Sequence, residues 1–204
     1  MCEKVVGRRV DAELVEMLWE ELHTTYRTRR RRKRASWFMR IVAWGIGIFG
    51  VMPADRFLDR FATTIRRTIY IPEYPMGGNR DLLGEIARCV HEHVHVTQWS
   101  LRFAWRYLTD KIWRARYEAM AFRANIALRY WYAGEWLDIR EMAAKLGTNY
   151  GCGEAGVELA YHILEDERDR LQLGSISDPL VKSVVIFLGK QGVLPAFSWP
   201  YMDR

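Results

Sequence analysis

Cysteine is scarce in this sequence. Only Cys2, Cys89 and Cys152 occur, an odd number with no CxxC pair. That excludes a disulfide framework and suits a reducing compartment. Long apolar runs are missing as well. The uncharged segment IVAWGIGIFGVMP from Ile41 to Pro53 has thirteen residues and is closely bracketed by Arg40 and Asp55. A bilayer span needs about 20, so the stretch reads as a buried or surface-packed helix. The first 35 residues are charged throughout with no early apolar core, so no secretory signal peptide is expected. Internal repeats, a helix-turn-helix, a zinc finger and an aromatic RNA platform are all lacking, and sequence-specific nucleic-acid binding has no support.

What is present is core material. Half of the 204 residues are apolar and nine are Trp, enough for one packed domain. The formal charge of +6 is unevenly placed. Arg27, Arg29, Arg30, Arg31, Arg32, Lys33 and Arg34 carry seven positive charges, and without them the balance falls to −1. The basicity belongs to one segment. It reads as a solvated helix end, as a surface for nucleic acid, or as a patch for anionic membrane with Trp37, Phe38, Trp44 and Phe49 behind it.

Periodicity predicts a mostly α chain with a small β element. Val10, Leu14, Leu18, Leu22 and Tyr26 recur at i+4, with Val15 and Trp19 beside them. They predict an amphipathic helix from Asp11 to about Arg34. A second helix is expected over Trp37 to Phe49, ended by Pro53. The β-branched and aromatic cluster Thr63 to Ile71 predicts a strand, or a hairpin turning at Arg66-Arg67. Pro75 to Asn79 reads as a loop. From Asp81, an N-cap, Leu83, Ile86, Val90 and Val94 share one helical face. Further helices are expected over Lys111 to Ala133, Trp136 to Leu146 and Glu154 to Arg170, with a break at Asn149 to Gly153. Another opens at Asp178-Pro179 and runs to about Leu188, and the tail from Gly192 reads as irregular. The expected division is a basic helical extension over 1–55 and a metal-binding domain over 56–204.

The chemistry concentrates at His91-Glu92-His93-Val94-His95, which fits HExxH. On a helix, positions i and i+4 lie one above the other, so His91 and His95 can bind one metal ion from the same face. Glu92 stands about 100° round the helix, within reach of an attacking water as general base. An HxHxH strand would also place His91, His93 and His95 on one face, but the flanking LLGEIARCV and VTQWSLRFAW keep helical spacing. His93 is expected to point away from the metal toward backbone or a carboxylate, and Cys89 to be core.

The third ligand is open. The third His of HExxHxxGxxH is missing: position 101 is Leu. Glu118, in YEAMA on the following long helix, is the candidate, with Ala119 and Ala121 small enough for close helix approach. The alternative is a surface pair with Arg114 or Arg123.

The strand TIYIP, then HEHVHVTQW, then YEAMAFRAN resemble the gluzincin group of zinc metallopeptidases. More narrowly, they resemble small zincin-like proteins of bacteriophage and bacterial genomes, over about residues 62 to 125. The resemblance implies a zincin-like core. Zinc would be held by His91, His95 and Glu118, with Glu92 as base and a substrate paired along the strand Thr68, Ile69, Tyr70 and Ile71. Tyr150, Tyr161 and His162 are candidates for stabilising an oxyanion. The implied activity is zinc-dependent hydrolysis of a peptide or protein substrate, cytoplasmic or virion-borne. The alternative is a non-catalytic structural protein on the same scaffold, such as a virion component meeting nucleic acid or other virion proteins through its basic segment. Peripheral membrane contact is a further possible partnership.

Overall fold

The computed structural model describes residues 9–48, 53–72 and 81–196. The expected loop Pro75 to Asn79, Phe49, and the tail beyond Ala196 lie outside the described residues.

Helix α1 (Ala12–Tyr26) opens where the Asp11 side chain accepts from the Leu14 amide at 2.7 Å. Its apolar stripe, Leu14, Val15, Leu18, Trp19 and Leu22, is buried. The helix does not continue through the basic run as periodicity suggests. Arg27 takes a left-handed φ of 51°, and Arg29–Arg32 form a strand, β1. Two physical terms favour this. A helix would stack like charges at i and i+4, whereas an extended chain spreads them. The strand also gains a ladder on a distant partner, continued at its ends by Arg29 N–H to Arg67 O (2.7 Å) and Lys33 N–H to Ile71 O (2.9 Å). All four arginines of β1 are exposed, and charge on an outer strand discourages pairing with other chains.

Helix α2 (Trp37–Ile48) and the short α3 (Ala54–Arg60) follow. Of the two expectations for Thr63 to Ile71, a strand or a hairpin, the hairpin forms, as β2 (Thr63–Ile65) and β3 (Thr68–Ile71), antiparallel, turning at Arg66 with φ 56°. β1 pairs parallel to β3 with Arg29 opposite Thr68, so the described sheet has the order β1-β3-β2. β3 is therefore its middle strand. The long parallel connection is formed by α2 and α3, as parallel pairing requires a crossover.

Six described helices after these carry the rest. α4 (Leu82–Gln98) starts on Asp81, whose side chain accepts from Gly84 N–H at 2.9 Å. α5 (Leu101–Thr109), capped by Ser100, is separate from α4 although the helical spacing runs through the junction. Asp110 caps α6 (Lys111–Ala133), and left-handed Gly134 ends it. α7 (Ile139–Tyr150) starts later and runs further than expected, because its cap is Asp138 and its stop is Gly151 at φ 63°. α8 (Gly153–Gln172) and α9 (Pro179–Lys190) complete the described chain.

α6 is the central helix, packed most extensively on α8 and next on α4. Its contact faces are small: Ala115, Ala119, Ala121, Ala124 and Ala127 are buried. At Gly156 of α8 an added Cβ would stand 3.0 Å from the Ala115 Cβ, a tight contact that glycine avoids. The main core joins α1, α4, α6, α7, α8 and α9. A smaller one joins Met39, Ala43, Phe57, Leu58 and Tyr70 of α2, α3 and β3.

Lys33 corrects the expectation that the whole basic run faces solvent. It is 0 % exposed. Its ammonium donates to Phe57 O (2.7 Å) and Phe61 O (2.8 Å), carbonyls at the end of α3, and lies 3.3 Å from the centre of the Phe57 ring. The cation thus satisfies a helix C-terminus from inside the protein. Burial pushes its pKa down to about 7, opposed by the Glu92 carboxylate.

The folded pKa lies below the unfolded value of 10.5, so between these values the unfolded chain binds more protons and stability rises with pH. We expect the stability difference between wild type and Lys33→Met to shift in favour of wild type by roughly 2–4 kcal/mol from pH 7 to 10. Urea unfolding at each pH measures it; a difference that ignores pH would contradict the buried amine.

Candidate metal centre

α4 presents His91 and His95 one turn apart, and both are buried. Their rings meet edge to face with centres 4.9 Å apart. Glu118 of α6, 2 % exposed, enters between them. Its Oε2 lies 3.5 Å from His91 Nε2 and its Oε1 lies 3.6 Å from His95 Nε2. One ligand atom from each of the three side chains falls within 4.8 Å of the others.

The alternative surface role for Glu118 is excluded by its neighbours. Arg123 binds Glu167 at 2.7 Å. Arg114 donates to three main-chain carbonyls: Tyr107 (2.7 Å), Leu108 (2.9 Å) and Tyr150 (2.8 Å). These carbonyls end α5 and α7, where intrahelical partners run out. One buried guanidinium therefore joins two helix C-termini beside the triad.

The triad fits a metal ion. The separations of 3.5 and 3.6 Å are long for hydrogen bonds, and Glu118 Oε2 is a buried oxygen with no hydrogen-bond donor. Two ligands at about 2.0–2.2 Å from one tetrahedral ion stand about 3.3–3.6 Å apart. Two imidazoles and one carboxylate are a donor set that suits zinc and leaves one position open. Burial would raise the Glu118 carboxyl, but His95 and His91 outweigh it and hold the group well below the usual carboxylate range. Burial likewise would lower His95, and Glu118 overcomes that to raise it to about 9.

Surrounding groups fix these side chains. His95 Nδ1 donates to the Gln98 side-chain oxygen at 2.9 Å, which turns Nε2 toward Glu118. The Tyr107 hydroxyl donates to Glu118 Oε1. Neither residue was picked out in the sequence. Gln98 had a readable signal, its i+3 position from His95. Tyr107 had none, since its role depends on the turn at Trp99-Ser100 that folds α5 back.

Glu92 also faces this site, and the Thr64 hydroxyl of β2 donates to its Oε2 at 2.7 Å. His93 points the other way. Its Nδ1 bonds Cys89 O at 2.7 Å, its Nε2 lies 3.2 Å from the Thr28 hydroxyl, and its ring packs among Trp19, His23 and Tyr26. Burial lowers its pKa to about 4 against the opposing Cys89 carbonyl, so it is neutral where α1 meets α4.

The triad forms the floor of a cavity of about 320 Å³ between the two hydrophobic cores. Phe38, Val42 and Ile46 of α2 and Phe103, Ala104 and Leu108 of α5 form apolar walls. Thr63, Thr64 and Ile65 of β2 line it, whereas β3 does not. The expected substrate strand Thr68, Ile69, Tyr70 and Ile71 is thereby corrected: paired on both sides, it has no free edge, and β2 is the strand at the cavity. Tyr150 lines the cavity. Tyr161 and His162 do not: Tyr161 donates to Glu165, and His162 pairs with Glu158 on the exposed face of α8. Within the basic run, Arg30 is held by Glu16 and Arg34 by Asp59.

The purified chain should bind about one metal ion, and His91→Ala or Glu118→Ala should abolish this in elemental analysis. Equal metal content in the wild type and both variants would remove the site. Arg114→Met should cost about 3 kcal/mol or more in chemical denaturation, because it strands the three carbonyls; a neutral result would contradict the capping role.

No family model, curated protein or solved structure matches the chain.

Proposed function

We propose that the protein is a zinc-dependent metallopeptidase with a zincin-like core. The observation that carries this reading is the buried His91–His95–Glu118 triad with Glu92 beside it, at the floor of a cavity flanked by an outer strand. A helix bearing HExxH, a second helix supplying a carboxylate and a strand alongside are the parts this chemistry needs.

His91, His95 and Glu118 would hold the ion, which supplies Lewis-acid polarisation of the scissile carbonyl and acidifies water. The chain's own residues do the rest. An extended peptide adds to the outer edge of β2, with main-chain hydrogen bonds fixing its register. Glu92 takes the proton of the attacking water and delivers it to the leaving amine nitrogen. Thr64 holds one Glu92 oxygen and leaves the other for that proton. Tyr150, the one of the three oxyanion candidates at the cavity, supplies a hydroxyl to the developing oxyanion. Burial and then the Glu118 charge keep the Tyr107 phenol well above its usual pKa, so it stays a donor to Glu118. The apolar walls exclude water and strengthen each of these interactions.

Glu92→Gln tests the reading. The zinc-loaded variant should retain its metal and lose about 10²–10⁴ in kcat on a mixed peptide library. Equal cleavage by variant and wild type, or no cleavage of any library peptide by the zinc-loaded wild type, would overturn it.

A further inference from the structure

The described surface carries its large apolar side chains in a narrow region. Of thirteen such exposed side chains among the described residues, eight stand on α2 and α5. They follow helical spacing. On α2, Trp37, Ile41, Trp44 and Ile48 recur at i, i+4, i+7 and i+11, with Trp37 72 % and Trp44 68 % exposed. On α5, Leu101, Trp105 and Leu108 recur at i, i+4 and i+7, with Leu101 81 % and Trp105 69 % exposed. Each helix thus has a second apolar stripe besides the one it buries. A contiguous exposed apolar stripe marks an interaction surface, unlike scattered single residues.

The two stripes border one opening. Phe38 of α2 and Leu108 of α5 are both exposed and both line the cavity above the triad. The apolar face therefore continues into the cavity mouth.

Charge identifies what covers this face. α2 and α5 contain Arg40, Arg102 and Arg106 and no Asp or Glu. A second copy of the chain is a poor occupant, because a symmetric contact places the same patch on both partners and would oppose these arginines without a counter-charge. An anionic lipid surface supplies both components, acyl chains for the apolar stripe and phosphates for the arginines. Tryptophan favours the boundary between headgroups and acyl chains. Depth is bounded as well, since no described helix is long and apolar enough to cross a membrane.

We propose that the α2–α5 face docks on the surface of an anionic bilayer, lying in the interface with the cavity mouth toward the lipid. Docking gives the cavity access to apolar ligands held at that surface. The inference stands apart from the peptidase reading, because neither exposed stripe supplies a side chain to the His91–His95–Glu118 triad.

Co-sedimentation of the full chain with vesicles tests it, using phosphatidylcholine alone and phosphatidylcholine mixed with phosphatidylglycerol. Wild type should bind the mixed vesicles, with a blue shift of tryptophan emission, and bind less as salt is raised. Trp44→Ser with Trp105→Ser should weaken binding by about tenfold or more while leaving metal content intact. A second variant, Arg40→Gln with Arg102→Gln and Arg106→Gln, should reduce the preference for the anionic vesicles. Binding by neither vesicle type, or wild-type affinity in both variants, would overturn the proposal. So would sedimentation as a dimer that the tryptophan variant dissociates, since the face would then be covered by a second copy.

Discussion

Burying Glu118 is the constraint around which the rest of the structure is arranged. An isolated carboxylate in a low-dielectric interior is costly. Here the cost is offset by His91 and His95 on one side and the Tyr107 hydroxyl on the other. These partners come from α4 and α5, so α6 must approach both closely. The buried alanines of α6 allow that approach, and Gly156 lets α8 come close at Ala115. One turn before Glu118, Arg114 fixes the ends of α5 and α7, which carry Tyr107 and Tyr150 to the cavity. Glu118, the Tyr107 hydroxyl and the Arg114 clamp thus form one connected unit.

A second polar device supports the other wall. Lys33 enters the smaller core and binds the end of α3, while Thr64 ties β2 to Glu92. The cavity lies where the two cores meet, lined by the apolar residues of α2 and α5. In such a site a few oriented polar groups exert more influence than they would in water. The same helices carry apolar stripes outward, which links the interior cavity to a surface of distinct chemistry.

The sequence made local features readable. Helical spacing located α4, the helix expected over Lys111 to Ala133 is α6, and the β-branched cluster at Thr63 to Ile71 located a strand or hairpin, of which the hairpin formed. The i, i+4 spacing of His91 and His95 anticipated a shared face, and the small residues after Glu118 anticipated its approach. What escaped depends on contacts distant in sequence. β1 looks like a helix end until its pairing with β3 is known, and that pairing removes β3 from the role of an outer strand. Lys33 is indistinguishable from its arginine neighbours until α3 offers it carbonyls. Tyr107 becomes a partner of Glu118 only because Ser100 starts a new helix. Among the three oxyanion candidates, only the path of α7 and α8 separates Tyr150 from Tyr161 and His162.

The metal centre proposed for this chain is a zinc ion held by two imidazoles and one carboxylate. X-ray absorption at the zinc edge, recorded on the zinc-loaded chain, tests it most directly. The expected spectrum has a nitrogen and oxygen shell at about 2.0–2.2 Å, outer-shell scattering from two imidazoles, and no sulfur shell. A zinc–sulfur distance near about 2.3 Å, or a spectrum without imidazole scattering, would contradict it.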